Sequence, residues 1–495
     1  MSRYILAIDQ GTTSTRAILF DEKGLPVVAS QKELTLHYPH NGWVEQDAED
    51  IWADTLHVCR TVMKENNVTA SDIAGIGITN QRETTVIWDR KTGKPVYNAI
   101  VWQDRRTADA CAALRDAGHE DTVRAKTGLL LDSYFSGTKV QWILDNVEGV
   151  RTRAENGDLA FGTIDCFLLW RLTGGKVHAT DITNASRTLL FNCAEQKWDK
   201  DMLALLCVPE SLLPEVRDNS GDFGQTASDV LGGPVTVAGM AGDQQAACFG
   251  QACFHPGMVK STYGTGCFAL VNTGDKFLQS KNRMLSTVAI RLDGKVSYAI
   301  EGAIFVAGAA VQWLRDGLGI IKSSSETQAL AESVNDNGGV YLVPAFTGLG
   351  APYWQPHARG MISGLTRGAT SAHIVRAALE AQAYQTQDLL AAMEDDSGFP
   401  ITELRIDGGM VKNDFVCQFI SDITQKPVLR PANVETTALG AAYLAGLHAG
   451  FFDSLDAISA AWRYDSRFTP SMDDAARSGL LKGWKTAVGQ VLAGV

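Results

Sequence analysis

The chain has 495 residues, of which 45% are hydrophobic and 20% are charged. This length predicts two to four domains with sizeable cores, and this composition excludes both a disordered chain and a single small module. Lys and Arg number 44 against 56 Asp and Glu, which gives a net charge of −12. No dense basic cluster interrupts this balance, so we expect no nucleic-acid partner and no polyanionic substrate.

The cysteines and the apolar runs bear on location. Nine cysteines are scattered through the chain without a CxxC pair, which indicates reduced thiols. The apolar run near the start is too short for a signal peptide, and no stretch reaches the ~18 apolar residues that span a bilayer. We therefore expect a cytoplasmic protein without an integral membrane segment. The most apolar helix candidate, 302–314, contains Gln312 and is predicted to be a buried helix.

The first ninety or so residues alternate β-rich runs with turns, which predicts a mixed sheet covered by helices. Asp47 is placed to cap one long helix, whose apolar stripe runs from Ile51 to Met63. Hairpin turns are predicted at 21–24 and 90–93. The predicted strands are 4–8, 14–20, 26–36, 73–79 and 84–88.

The segment 4–20 has a counterpart in 258–271, since each predicts a strand, a Gly/Thr turn and a second strand. Their separation of about half the chain predicts two α/β domains of related design that face one another. His255-Pro256-Gly257 predicts a turn between them. We therefore divide the chain into an N-terminal domain, 1–250, and a C-terminal domain, 251–495.

Neither of the common nucleotide-binding fingerprints is present, because the chain has no GxxxxGK[ST] and no complete GxGxxG. The turn 9–14 instead offers successive N–H groups and hydroxyls that can bind phosphate oxygens, and Arg16 adds positive charge. A plain hairpin turn accounts equally well for these residues taken alone. The matching turn 263–266 favours phosphate binding, because two facing hairpins can hold a polyphosphate from both sides.

Polar residues follow predicted strands at three places. Asp243 follows the strand 235–242 at the start of a predicted helix, where ligands gather in α/β sheets, although capping a helix is the more common role of such an aspartate. The segment 404–413 repeats this order, and its two glycines either let a flat ring approach the backbone or serve only a tight turn. The group 80–83 either binds hydroxyls or forms a solvated hairpin edge. The small-residue segment 437–446 is predicted to be a closely packed helix.

Taken together, these segments resemble the FGGY family of carbohydrate kinases over nearly the whole chain. Each motif is weak alone, and their order makes the resemblance specific. The motifs are Asp-Gln-Gly-Thr-Thr-Ser at 9–14, Asn-Gln-Arg-Glu at 80–83, Trp-Gln-Asp-Arg-Arg at 102–106, Ala-Gly-Asp-Gln-Gln at 241–245, Tyr-Gly-Thr-Gly-Cys-Phe at 263–268, Pro-Ala-Phe-Thr-Gly-Leu-Gly-Ala-Pro-Tyr-Trp at 344–354 and Asp-Gly-Gly at 407–409. The resemblance implies two ribonuclease H-like α/β domains of the actin-like ATPase type, flanking a central cleft.

The resemblance also implies ATP-dependent phosphorylation of glycerol to glycerol 3-phosphate, with Mg²⁺ as the metal and Asp243 as the general base. It implies a homo-oligomer, either a dimer or a tetramer. It assigns the ATP phosphates to Thr12, Thr13, Ser14 and Arg16, and the metal to Asp9 and Asp243. It places the rest of the nucleotide against Thr265, Gly308, Gln312, Gly409 and Asn413. It places glycerol against Arg82, Glu83, Trp102, Tyr134, Asp243, Gln244 and Phe268.

Two departures concern regulation. Family members inhibited by fructose 1,6-bisphosphate carry a Gly-Gly-Thr-Arg loop before the strand at 235–242, whereas the segment 227–235 of this chain contains no arginine. We therefore expect weak or absent inhibition by this bisphosphate. The stretch 218–224 lacks the histidine at which some relatives are activated by phosphorylation, so we expect that control to be absent as well.

Two other functions are compatible with these patterns. One is a kinase of the same family that acts on a pentulose or another polyol. The other is an actin-like or chaperone-like ATPase, which would share the phosphate-binding hairpins. Arg82, Glu83 and Tyr134 distinguish the second, because a partner-driven ATPase needs no small polar pocket at these residues.

Overall fold

The computed structural model describes residues 4–495; residues 1–3 of the predicted N-terminal domain lie outside the described part. The strands of its first half are β1 (Tyr4–Gln10), β2 (Ser14–Phe20), β3 (Pro26–Glu33), β4 (Glu45–Gln46), β5 (Ile73–Asn80), β6 (Val86–Asp89), β7 (Ala99–Ile100), β8 (Leu159–Gly162), β9 (Ala179–Asp181), β10 (Phe191–Asn192), β11 (Lys197–Trp198), β12 (Glu215–Arg217) and β13 (Val237–Gly242). Those of its second half are β14 (Val259–Tyr263), β15 (Cys267–Gly274), β16 (Leu285–Leu292), β17 (Lys295–Ile304), β18 (Tyr341–Val343), β19 (Met361–Ser363), β20 (Leu404–Asp407), β21 (Val428–Pro431) and β22 (Tyr464–Phe468).

Helices connect and cover these strands. The α-helices are α1 (Ala48–Glu65), α2 (Ala108–Asp116), α3 (Glu120–Thr127), α4 (Ser136–Asn146), α5 (Val150–Glu155), α6 (Ile164–Leu172), α7 (Ile182–Ala185), α8 (Lys200–Leu205), α9 (Ser228–Leu231), α10 (Asp243–Gly250), α11 (Gly308–Asp316), α12 (Thr327–Glu332), α13 (Ser371–Ser397), α14 (Asp414–Thr424), α15 (Thr436–Ala449), α16 (Leu455–Ala461) and α17 (Asp474–Ala493). Asp47 caps α1 as predicted, because its side chain accepts a hydrogen bond from Glu49 N over 2.8 Å.

The first half is built on a five-stranded sheet in the order β13-β5-β1-β2-β3. β1 pairs antiparallel with β2 and parallel with β5, and β5 pairs parallel with β13. Gln10, Asn80 and Gly242 lie side by side across the three parallel strands. The residues that follow these strands therefore meet at one edge of the sheet, where ligands bind in α/β folds.

The second half repeats this arrangement in a seven-stranded sheet, ordered β16-β17-β15-β14-β20-β21-β22. β14 and β15 form an antiparallel hairpin, and β14 pairs parallel with β20, just as β1 pairs with β2 and β5. The prediction of two halves of related design is therefore confirmed. Apolar side chains on both sides of each sheet form the main cores.

The predicted elements are confirmed with two exceptions. The strand predicted at 84–88 is β6, which pairs with β8 outside the five-stranded sheet. The buried helix predicted at 302–314 is wrong over 302–307, because 302–304 end β17 and pair with β15, and α11 begins only at Gly308. It is also only partly buried, since Gln312 is exposed. Short apolar runs of small residues have no period that separates a buried strand from a buried helix.

Helix α15 lies in the second half of the chain but packs on the sheet of the first half. A methyl group placed on Gly77 of β5 would lie 2.1 Å from Ala441 O, and one on Gly440 would lie 1.8 Å from Ala246 O. The backbones of α15, β5 and α10 are therefore in direct contact, which only glycine allows at these positions. This contact joins the two halves behind the sheet edge that carries the polar residues.

Replacing Gly440 by alanine tests this contact. Gly440→Ala is expected to lower the melting temperature, because forcing a methyl group into a packed interface costs about 1–3 kcal/mol. The matched change is Gly479→Ala in α17, where nothing among the described residues outside its own helix lies within 4 Å of the added methyl. That variant should melt above the wild type, since a mid-helix alanine is favoured over glycine by roughly 0.5–1 kcal/mol. A Gly440→Ala protein as stable as the wild type in thermal unfolding would contradict the contact.

Within residues 4–495 the cysteines are free thiols, and Cys207 alone among them is exposed. No helix within residues 4–495 combines the length and the apolar character needed to cross a membrane.

Candidate active site

The turn between β1 and β2 carries the hydroxyl groups of Thr12, Thr13 and Ser14. Gly11 N donates to Ser14 O over 2.9 Å, which closes the turn. The indole Nε1 of Trp102 donates to Thr12 Oγ1 over 2.8 Å. Thr12 and Ser14 are half-buried and Thr13 is exposed, so this turn presents hydroxyl and N–H groups at the edge of the sheet.

A charged pair lies beside this turn. Arg16 Nη2 lies 2.9 Å from Asp9 Oδ2, and Arg16 Nη1 lies 2.7 Å from Glu435 Oε2. Burial raises the pKa of Asp9 above its ordinary value, although the guanidinium of Arg16 lowers it. Arg16 therefore links the first strand to the residue that precedes α15.

Arg82 lies at the centre of a polar cluster just beyond β5. Its Nε lies 3.1 Å from Asp243 Oδ1, and its Nη1 lies 2.5 Å from Glu301 Oε2. Its Nη2 lies 3.4 Å from the hydroxyl of Tyr134. Arg82 and Glu83 are only 3% and 1% exposed. The alternative of a solvated hairpin edge at 80–83 is therefore wrong.

Glu83 has one oxygen engaged and one available. Arg187 Nε donates to Glu83 Oε1 over 2.6 Å, whereas Oε2 accepts no hydrogen bond from the residues that the structure describes. Burial raises the pKa of Glu83, and the guanidinium groups of Arg82 and Arg187 oppose this effect. The backbone of Glu83 has φ +63°, a conformation that few non-glycine residues adopt.

Asp243 is the first residue of α10, and the N-cap residue is Gly242. The interpretation of Asp243 as the helix cap is therefore wrong. Its side chain is 33% exposed and accepts a hydrogen bond from Gln244 N over 2.6 Å. Burial raises the pKa of Asp243, while the charge of Arg82 lowers it. A reachable carboxylate with a raised pKa is suited to accept a proton from a substrate.

The remaining predicted substrate residues are Trp102, Tyr134, Gln244 and Phe268. The rings of Trp102 and Tyr134 meet edge to face, with centroids 5.5 Å apart. Gln244 Oε1 accepts a hydrogen bond from the buried ammonium of Lys260 over 2.5 Å. Phe268 is half-buried on β15 and makes no ring contact with the other two aromatics among residues 4–495.

A cavity of about 480 Å³ lies in the second half, between the β14–β15 turn and the start of α14. All five residues predicted to contact the nucleotide line it: Thr265, Gly308, Gln312, Gly409 and Asn413. A methyl group on Gly308 would lie 2.6 Å from Gly264 O, so this close approach requires glycine. Lys412 and Arg315 also line the cavity, which sequence reasoning did not predict, and Arg315 Nε lies 2.7 Å from Asp316 Oδ1.

A buried polar network holds the two loops of the cluster behind the sheet edge. Asn80 and Asn184 exchange side-chain hydrogen bonds of 3.1 and 2.9 Å, and Gly242 N donates to Thr183 Oγ1 over 2.9 Å. Thr180 Oγ1 donates to Asp165 Oδ2 over 2.6 Å. The network therefore connects the end of β5 with the end of β13.

The network makes stability depend on pH through Asp165. Burial and the nearby carboxylate of Asp181 raise the pKa of Asp165 above its ordinary value of 3.8. The folded state then holds this proton more tightly than the unfolded state, so the free energy of unfolding falls as the pH rises above 3.8. Asp165→Asn removes this titration, and its stability is expected to fall less than that of the wild type between about pH 5 and about pH 8.

Urea unfolding at both pH values measures this slope, whatever the absolute stability of the variant. Asp229→Asn, at an exposed position on α9, is the matched change and should leave the slope as in the wild type. Equal slopes for Asp165→Asn and the wild type would exclude a raised pKa at Asp165.

Two hairpin-led sheets, with a polar cluster at the edge of the first and a cavity beside the second, are the architecture of a two-domain protein of the actin-like ATPase class. The structure matches the crystal structure of Plasmodium falciparum glycerol kinase with ADP at a TM-score of 0.94 and 38% identity, covering 99% of both chains. It matches the ligand-bound xylulose kinase from Lactobacillus acidophilus at a TM-score of 0.89, covering 99% of this chain and 98% of that one. That match has 21% identity and shows the fold alone.

Residues 4–250 match the N-terminal domain of the FGGY family of carbohydrate kinases, and residues 259–449 match its C-terminal domain. The chain belongs to this family. It is 61% identical to the glycerol kinase of Nitrosomonas eutropha over 488 residues, which cover 99% of this chain and 98% of the relative. It is 60% identical to glycerol kinase 1 of Pseudomonas aeruginosa over 491 residues, which cover 99% of both.

Proposed function

We propose that the chain transfers the γ-phosphate of ATP to a terminal hydroxyl of glycerol, giving glycerol 3-phosphate and ADP. The observation that carries this proposal is the buried pair Arg82 and Glu83 with the partly exposed Asp243, at the same edge of the first sheet as the hydroxyl-rich turn. Full-length relatives named glycerol kinase, at about 60% identity, support the choice of substrate.

The cluster offers what a small polyol needs. The guanidinium of Arg82 donates, Oε2 of Glu83 accepts, and Asp243 has an exposed carboxylate oxygen. Trp102 and Tyr134 supply apolar surface for the carbon chain, while Gln244 and Phe268 complete the proposed substrate set. A site with fixed polar partners rejects an analogue that lacks one hydroxyl much more strongly than an apolar pocket does.

Asp243 accepts the proton of the attacking hydroxyl as that oxygen bonds to the γ-phosphorus, and the released phosphate oxygen remains with ADP. Thr12, Thr13 and Ser14 donate hydrogen bonds to phosphate oxygens, and Arg16 contributes positive charge. Thr265, Gly308, Gln312, Gly409 and Asn413 line the nucleotide. Closure of the two halves over the cleft excludes water, which otherwise competes with glycerol as acceptor.

Asp9 and Asp243 fit a Mg²⁺ site. Mg²⁺ in kinases is held by one or two carboxylates together with waters and phosphate oxygens, and these two carboxylates lie at the same sheet edge on either side of β5. When bound, the ion would neutralise negative charge on the phosphates.

Several finer predictions accompany this function. We place the domain division at 250/251 and propose that the protein is cytoplasmic, which the nine free thiols support. We also propose a homo-oligomer, either a dimer or a tetramer, and weak or absent inhibition by fructose 1,6-bisphosphate. A family member acting on a pentulose or another polyol is the second candidate function.

A substrate panel separates the two candidates. ADP formation is measured with glycerol, xylulose, erythritol and dihydroxyacetone at equal concentrations. We expect glycerol to give the highest kcat/KM. Turnover of xylulose or erythritol without turnover of glycerol would overturn the proposal in favour of the second candidate.

A further inference from the structure

We propose that Arg187 and Glu301 are positioning residues for the polyol site, because with Arg82 and Glu83 they form a closed ring of four buried charges. We call this set the charge ring. The inference rests on the proposed function and adds two residues, one from each half of the chain, that orient the groups that touch the substrate.

The contacts alternate in charge around the ring. Glu301 Oε2 lies 2.5 Å from Arg82 Nη1, and Glu301 Oε1 lies 3.0 Å from Arg187 Nη2. Arg187 Nε lies 2.6 Å from Glu83 Oε1, and Arg82 Nε lies 3.9 Å from the same oxygen. All four residues are at most 3% exposed. Two guanidinium groups therefore bind two carboxylates with no net charge.

The members of the charge ring come from distant parts of the chain. Arg82 and Glu83 follow β5, and Arg187 follows α7 in the first half. Glu301 lies on β17 of the second sheet, opposite Leu270 and Leu285 on the neighbouring strands. Glu301 thus ties the polyol site of the first half to the sheet of the second half, so the orientation of Arg82 depends on both.

Stability alone does not account for the charge ring. Four buried charges lose their hydration, and the attraction between them repays this loss only partly, so apolar side chains of similar size would serve a core equally well. Arg187 Nη1 is buried without a hydrogen-bond partner within residues 4–495, which adds to the cost. Although burial raises the pKa of Glu301, the charges of Arg187 and Arg82 lower it to about 2, so the carboxylate stays ionised.

The charge ring determines which polar atoms remain for a substrate. Glu301 occupies Nη1 of Arg82, which leaves Nη2 near the hydroxyl of Tyr134. Arg187 occupies Oε1 of Glu83, which leaves Oε2. The guanidinium of Arg187 also lies 5.7 Å from the centroid of the Tyr134 ring. One donor and one acceptor are thereby fixed side by side, an arrangement that suits two adjacent hydroxyl groups.

The test compares Glu301→Gln with the wild type, using kcat and KM for glycerol and for ATP separately. The substitution keeps the shape and removes one negative charge from the ring. We expect kcat/KM for glycerol to fall by about 10- to 100-fold, as when outer partners of binding groups are removed. The KM for ATP should stay within about twofold. A purely structural role would change both substrates together, or neither.

A double variant supplies a second readout. Arg187→Met leaves two carboxylates and one guanidinium in the charge ring, and Glu301→Gln leaves one carboxylate and two guanidinium groups. The two changes together leave Arg82 and Glu83 as a balanced pair. We therefore expect the loss in the double variant to be smaller than the product of the two single losses. If the charge imbalance prevents a single variant from folding, the double variant takes its place in the comparison with the wild type. Thermal stabilisation by ADP shows which of the variants are folded.

Glu380→Gln is the matched control. Glu380 on α13 is 1% exposed, and its carboxylate binds Arg376 over 2.8 Å and Tyr384 over 3.0 Å, with no ion pair to a member of the charge ring within residues 4–495. Its KM for glycerol should match that of the wild type. An unchanged kcat/KM for glycerol in Glu301→Gln, or equal losses for glycerol and ATP, would overturn the inference. If the wild type turns over another polyol instead of glycerol, the proposed function fails and the same comparison with that polyol still tests the ring.

Discussion

Asp243→Asn is expected to lower kcat for glycerol phosphorylation by about 10²- to 10⁴-fold, the contribution of a general base. An amide keeps the shape of the side chain but cannot accept the proton of the attacking hydroxyl. Asp243 also lies 3.1 Å from Arg82 Nε, and an amide oxygen retains the ability to accept that hydrogen bond. The loss should therefore appear in kcat, with ADP binding within about threefold of the wild type in calorimetry.

The control for this variant is Asp474→Asn. Asp474 is the first residue of α17, as Asp243 is of α10, and it is exposed. Both changes remove a favourable charge from a helix N-terminus, which stabilises by about 0.3–1 kcal/mol, but only one lies in the polar cluster. A wild-type kcat in Asp243→Asn, or an equal loss in both variants, would refute the role of Asp243 as the base.

Arg82→Met is expected to lower kcat/KM for glycerol by about 10³-fold or more, because it removes the donor and leaves buried acceptors unpaired. Glu301 keeps Arg187 at 3.0 Å but loses its closer cation, and Asp243 loses the guanidinium at 3.1 Å, so the buried negative charges of the cluster are no longer balanced. Such a factor corresponds to about 4 kcal/mol of transition-state stabilisation. The KM for ATP should change little, because the cavity at Thr265 and Asn413 lies on the second sheet.

Arg90→Met is the matched arginine variant. The guanidinium of Arg90 donates to Leu159 O and Ser211 O, each over 2.9 Å, and Arg90 lies in the turn after β6 rather than in the polar cluster. Steady-state kinetics with varied glycerol and with varied ATP should show a normal glycerol KM for this variant. If Arg82→Met retained more than a tenth of the wild-type kcat/KM, the polyol could not be bound as proposed.

The residues at the sheet edge were predictable from sequence because local order determines their place. Asp9, Arg82 and Asp243 each stand at or just beyond the end of an apolar strand, and strand ends meet at one edge when the strands are parallel. The Gly/Thr turns were predictable for the same reason. Their common spacing in the two halves indicated a repeated unit before any contact was known.

Arg187, Glu301 and Lys260 were not predicted as members of the site. Each is a single charge without a motif around it. Lys260 stands in a segment that predicts a strand, and Glu301 directly precedes the segment 302–314 that was predicted as a helix. The signal was present in another form, because a charged side chain in a buried strand must have a partner. The partner can lie more than a hundred residues away in the chain, as Glu301 does from Arg187. Spacing along the chain does not reveal such contacts.

The helix α15 illustrates the same limit for the fold. Its small residues correctly predicted close packing, and Gly440 is in fact in backbone contact with Ala246. The sequence did not indicate that the helix returns to the sheet of the first half, since a stripe of small residues fits any close neighbour. This return joins the two halves at the base of the cleft.

The central claim is that the polar cluster binds glycerol as the acceptor of the γ-phosphate. The most direct measurement follows ADP and glycerol 3-phosphate together in one reaction of the purified protein with ATP, Mg²⁺ and glycerol. We predict that the two products appear in equal amounts and that ADP formation nearly stops when glycerol is left out. ADP formation at the same rate with and without glycerol, or without glycerol 3-phosphate, would contradict the account.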